Sequence, residues 1–68
     1  MINPTAMSVI QARQKMDDKD VIRAANISPA TMTRAARGLP INIKIFSNIS
    51  LALKCDPSEL IKDNYTGA

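Results

Sequence analysis

The sequence predicts a single small all-α domain of five short helices. Three observations carry that reading. Asn3-Pro4, Ser28-Pro29 and Asp56-Pro57 each set a side chain that can cap a helix before a proline at the first helical position. Apolar residues recur at three- and four-residue spacing, most clearly Ile43, Phe46, Ile49 and Leu53. No sustained apolar-polar alternation is bounded by hairpin turn pairs, so strands are not expected.

The first helix opens at Asn3-Pro4 and carries Ala6, Met7 and Ile10 as its apolar stripe. Arg13, Gln14 and Lys15 lie near its end, where cations suit the helix dipole. A second helix starts at Asp17, with Asp20 in the first turn and Val21, Ile22 and Ala25 inward, and stops at Asn26, which tolerates the left-handed conformation. Ser28-Pro29 opens the third helix, in which Met32 and Ala35 are one turn apart and face inward. Gly38 ends it and Pro40 prevents its continuation. Asn42 caps the fourth helix, the most apolar segment and the expected centre of the core, with Ile45 and Ala52 beside its main stripe. Asp56-Pro57-Ser58-Glu59 starts the fifth helix, anchored by Leu60 and Ile61, and residues 64–68 form a polar tail expected to fray. Val21, Ile27, Met32, Phe46, Ile49 and Leu53 are expected to be buried.

Composition bounds the function. The 68 residues are 46% apolar and 22% charged, which suits one globular domain with a small stability margin, about 3–5 kcal/mol. One cysteine excludes an internal disulfide, and the lack of histidine removes a His-Cys metal cage and the commonest acid-base group. Two glycines, Gly38 and Gly67, cannot build a phosphate loop. Two aromatics, Phe46 and Tyr65, do not make a base-stacking platform. No enzyme activity, cofactor or metal is therefore expected. No apolar run approaches the ~20 residues that cross a bilayer, and Met1-Ile2-Asn3-Pro4 lacks the layout of a signal peptide. A cytoplasmic chain is expected, in which the acceptor triplets at Asn48 and Asn64 stay unglycosylated. The net charge of +3 permits a nucleic-acid partner without demanding one.

The second and third helices are separated by little more than Asn26-Ile27. Two short helices joined by so tight a turn, with Ile27 beneath the bend, describe a helix-turn-helix over about residues 17–38. This segment resembles the helix-turn-helix of the Cro/CI-type repressors, the XRE family. The resemblance continues through Ile49-Ser50-Leu51-Ala52-Leu53-Lys54-Cys55-Asp56-Pro57-Ser58-Glu59-Leu60 and covers roughly residues 5–62. It implies one lambda-repressor-like, five-helix DNA-binding domain over residues 1–68. It also implies operator DNA as partner, with the third helix in the major groove and the start of the second beside phosphates. Carried over by position, the groove-facing residues are Ser28, Pro29, Ala30, Thr33, Arg34 and Arg37. A homodimer is compatible with this.

Several residues depart from the family pattern. Where the family has a phosphate-binding Gln at the start of helix 2, this chain has Asp18, flanked by Asp17 and Asp20. A second Gln, at the start of helix 3, is replaced by Pro29, with Ala30 beside it. Ile22 stands where a small residue is usual and Ala35 where a large one is, a volume exchange that cores tolerate. Cys55 takes an aliphatic position, which points to packing. Two functions are favoured, and an antitoxin of a toxin pair, which uses similar folds, stays open beside them. One is a regulator of a temperate-phage-type genetic switch that binds operator DNA. The other resembles the antirepressors, or modulators of repression, of such switches. There Asp17, Asp18 and Asp20 would meet the basic DNA-binding helices of a CI-type repressor, with Pro29, Ala30 and Met32 in apolar contact.

Overall fold

The computed structural model describes residues 2–61. They form five helices: α1 Pro4–Gln14, α2 Asp18–Ala25, α3 Pro29–Ala36, α4 Ile43–Ala52 and α5 Pro57–Ile61. No strand occurs among the described residues.

Each helix start is made by a local side chain satisfying backbone N–H groups that have no helical partner. The Ala6 N–H donates to Asn3 Oδ1 at 3.1 Å, and the Ile45 N–H donates to Asn42 Oδ1 at 2.8 Å. At α3, the Thr31 N–H donates to Ser28 Oγ at 3.1 Å. At α2 the arrangement is reciprocal: the Asp20 N–H donates to Asp17 Oδ1 and the Asp17 N–H to Asp20 Oδ2. Before α5, Asp56 Oδ1 accepts from the Ser58 N–H and Glu59 Oε2 from the Asp56 N–H.

Helix ends use the left-handed backbone. Asn26 and Gly38 adopt it as expected, at φ 56° and 75°. So do Lys15 and Lys54, at φ 56° and 53°, with no glycine to ease the conformation. At the end of α3 the Gly38 N–H donates to the Ala35 carbonyl and the Leu39 N–H to the Arg34 carbonyl, which together close the helix.

α1 packs on α3 and α5, α2 on α3 and α4, and α4 on α5. Between them lie Ile2, Met7, Ile10, Val21, Ala25, Met32, Ala35, Ile49, Leu53 and Leu60, all buried. Of the six expected core residues, Val21, Met32, Ile49 and Leu53 are buried, whereas Ile27 and Phe46 are only half-buried. Phe46 sits in the first turn of α4, one turn before the buried Ile49, where the bundle opens toward solvent. Ile43, the first residue of that helix, is 80% exposed, so the α4 stripe does not run its full length. Likewise Leu60 anchors α5 but Ile61 is exposed. The core therefore centres less on α4 than expected and more on α1, which buries Ala6, Met7 and Ile10. Ala35 is fully buried while Ile22 is half-buried, so the exchanged volume lies partly at the rim. Cys55 is also half-buried, and that burial pushes its thiol pKa up, with the Glu59 charge adding to the rise.

The N-terminal segment closes the bundle. Ile2 is buried, and the Asn3 N–H donates to the Leu60 carbonyl at 2.7 Å. Arg13 pairs with Glu59 at 3.7 Å across the same α1–α5 contact. The expected tail at 64–68 lies outside the described residues.

Candidate nucleic-acid interface

α2 and α3 are joined by residues 26–28, in which Asn26 makes the bend, Ile27 packs against the core and Ser28 caps α3. Burial of Met32 and Ala35 then determines which face of α3 is outward. Ser28, Pro29, Ala30, Thr33, Arg34 and Arg37 are all exposed. The six positions thus share an accessible face, while Met32 belongs to the core and cannot give the apolar surface contact considered above.

The polar groups of that face differ in their commitments. Ser28 Oγ accepts from the Thr31 N–H and donates to Thr31 Oγ1 at 2.9 Å. Thr33 Oγ1 donates to the Pro29 carbonyl at 3.1 Å. Both hydroxyl protons are used within the helix, so toward an external partner these oxygens act as acceptors. Arg34 Nη2 donates to the Pro40 carbonyl at 2.8 Å. Arg37, at the C-cap of α3, has no side-chain partner among the described residues.

The acidic start of α2 is built differently from a free carboxylate cluster. Asp17 and Asp20 exchange the two capping bonds, and the Asp20 backbone N–H holds the Asp17 carboxyl below its ordinary range. Asp18 Oδ1 accepts from Gln11 Nε2 at 3.0 Å, and the same amide reaches the Met16 carbonyl at 3.3 Å. An amide from α1 therefore stands against the carboxylate that replaces the family Gln.

Charge is segregated along the chain. Residues 21–55 contain Arg23, Arg34, Arg37, Lys44 and Lys54 and no Asp or Glu. All six acidic residues lie outside that stretch, at Asp17, Asp18, Asp20, Asp56, Glu59 and Asp63. The stretch contains α3, the loop of residues 37–42 and α4. Outside α3 it holds two further exposed polar residues, Asn42 and Lys44 at the start of α4, which the reading of α3 alone had missed. The acid-free run was the available signal.

Among the described residues no pocket is found and no group of three metal-ligating side chains comes together. No described helix is long and apolar enough to cross a membrane. An accessible helix face with cations beside it, rather than a cavity, is what the surface offers. No curated protein and no solved structure matched the chain. The family model of the Cro/C1-type helix-turn-helix DNA-binding domain matches residues 6–65, and this chain belongs to that family.

Proposed function

We propose that this protein is a small transcriptional regulator that binds operator DNA with α3 in the major groove, in a switch of the temperate-phage type. The observation that carries the reading is the acid-free stretch of residues 21–55, in which Arg37 at the end of α3 and Lys44 in the first turn of α4 are exposed cations. Lys/Arg contacts to phosphate supply affinity and register, and groove contacts supply sequence choice. In this reading Arg37 and Lys44 flank the duplex backbone, while Thr33, Ala30 and Pro29 lie over base edges. Thr33 offers an acceptor and a methyl, and Ala30 and Pro29 offer apolar contact to a thymine methyl.

The test is a salt series on duplexes enriched from a random pool by the protein itself. Arg37→Ala and Lys44→Ala should each lower the salt slope by about one unit and weaken all sequences alike if they hold phosphates. Loss of about 1–3 kcal/mol on the enriched duplex alone would make the residue a base reader. Unchanged retention for both variants at low salt would refute binding through this face.

A second reading, an antirepressor that covers the DNA-binding helices of a CI-type repressor, draws support from an exposed Asp18 on α2 and the exposed, apolar Pro29 and Ala30 on α3. It loses support from Asp17 and Asp20, whose carboxylates already serve the α2 cap. Asp18→Gln separates the two readings. It should strengthen DNA binding under the first and weaken repressor binding under the second, measured by calorimetry at two salt concentrations.

A further inference from the structure

Arg34 stands on the outward face of α3, where the family resemblance places a groove-facing residue. Its side chain is turned to a different task. The guanidinium Nη2 donates to the Pro40 carbonyl at 2.8 Å. The carbonyl of the same residue accepts from the Arg37 N–H at 3.2 Å and the Leu39 N–H at 2.9 Å. One residue thus holds the loop of residues 37–42 at two separate points, its start through backbone and its far side through a charge-assisted bond.

The loop needs such a tie. Gly38 turns the chain sharply at positive φ, and Pro40 has no N–H with which to anchor itself. Leu39 is 39% exposed, so packing holds that part of the loop only partly. Beyond Pro40 the chain runs through Ile41, which packs against the core, to Asn42, which caps α4, and Lys44 is the second residue of that helix. The distance and angle between the face of α3 and the Asn42–Lys44 surface therefore depend on where Pro40 is held as well as on the packing of Ile41.

We infer that Arg34 is a positioning residue: it fixes the α3–α4 loop so that Asn42 and Lys44 meet the duplex backbone in register with α3, and it does not read a base. The inference rests on α3 being the DNA-facing helix. Guanidinium N–H groups not used by Pro40 can still meet a phosphate, a contact blind to sequence. Sequence choice on α3 then falls to Thr33, Ala30 and Pro29.

Two measurements test it. In the free protein, amide hydrogen exchange is followed at Leu39, which donates to the Arg34 carbonyl, and at Ile45, which donates to Asn42. Arg34→Ala should raise exchange at both about threefold to tenfold, the scale of losing one modest hydrogen bond. Arg34→Lys, which keeps a cationic donor, should recover most of that protection. In the second measurement, Arg34→Ala should weaken an enriched duplex and an unselected duplex by the same factor. Unchanged exchange in the loop overturns the positioning role, and a loss confined to the enriched duplex makes Arg34 a base reader. If the parent binds neither duplex, DNA recognition itself fails, and the exchange measurement still decides whether Arg34 holds the loop.

Discussion

Gly38→Ala is the substitution whose cost can be worked most directly from the structure. Gly38 adopts φ +75°, and a Cβ built there would lie 3.0 Å from the Ile2 carbonyl oxygen and 3.4 Å from Cδ and Cγ of Pro4. The left-handed backbone alone costs an L-residue about 1–2 kcal/mol. Alanine returns about 0.4–1 kcal/mol by restricting the unfolded chain. The contact with Ile2 adds to the cost, because its partner is backbone and cannot swing aside, and relief requires the N-terminal segment to shift. Tight insertions of this kind cost about 1–3 kcal/mol. The sum is a net loss of about 3 kcal/mol, most of the expected margin of a domain this size. For such a chain each kcal/mol moves Tm by roughly 4–8 °C, so the expected fall is roughly 12–24 °C.

The assay is thermal and urea denaturation of the parent, Gly38→Ala and Gly38→Asn. Asparagine accepts the left-handed backbone but still carries a Cβ, so it keeps the Ile2 contact and relieves the torsional part. Its Tm should fall between those of the other two. An alanine variant that melts with the parent would refute both parts of the reasoning. Asparagine equal to alanine would leave the contact as the whole cost.

Other expected outcomes follow from the same structure. Leu53→Ala, at a fully buried side chain, should cost about 2–5 kcal/mol, whereas Phe46→Ala should cost clearly less than the usual ~3–5 kcal/mol for a buried Phe, and urea midpoints will rank them. Lys15→Gly, at φ 56°, should raise stability by up to about 1 kcal/mol, seen as a higher Tm, because glycine removes the left-handed strain at the end of α1. Asp17 is held below its ordinary value of 3.8 by the Asp20 backbone N–H, so its stabilising charge is present above that value and is lost as pH falls through the lowered one. Asp17→Asn keeps a capping oxygen but cannot titrate, and its acid denaturation profile should be flatter in that window than the parent's.

The helix starts were legible because their chemistry is local. Asn3, Asp17, Ser28 and Asn42 each bond an N–H three residues on, and the prolines of α1, α3 and α5 only reinforce the same boundary. The ends at Lys15 and Lys54 were not legible as left-handed positions. Lysine carries no preference for that conformation, and it is adopted because the next helix must leave in a set direction. Periodicity identified the buried face of α4 but not how far along its axis a neighbour extends, which is why Ile43 and Phe46 were placed too deep. Ile2 had no periodicity to reveal it, and its burial depends on the Asn3 bond to Leu60, a contact across nearly the whole chain. At the candidate surface, the inward pair Met32 and Ala35 was enough to predict the exposed face of α3. The tie from Arg34 to Pro40 was invisible, since it depends on the path of a loop.

The three aspartates at the start of α2 and the cations beyond residue 20 follow one physical logic. An aspartate at a helix start is stabilised by free N–H groups and by the helix dipole, whatever lies outside the protein. Asp17 and Asp20 satisfy that local need through their reciprocal bonds, so their presence does not argue for an external basic partner. Asp18 is the remaining acid, and its one bond, from Gln11, neutralises none of its charge. Exposed charges act mainly within a Debye length, about 8 Å at physiological salt. In the proposed DNA-binding reading, Asp18 would oppose a phosphate only if the duplex approached the start of α2 that closely, while Arg37 at the end of α3 and Lys44 at the start of α4 would attract it. A duplex tilted away from α2 and toward the α3–α4 loop satisfies both constraints. Under the proposed function, such a tilt would place the grip on the backbone at the loop held by Arg34 rather than at the start of α2.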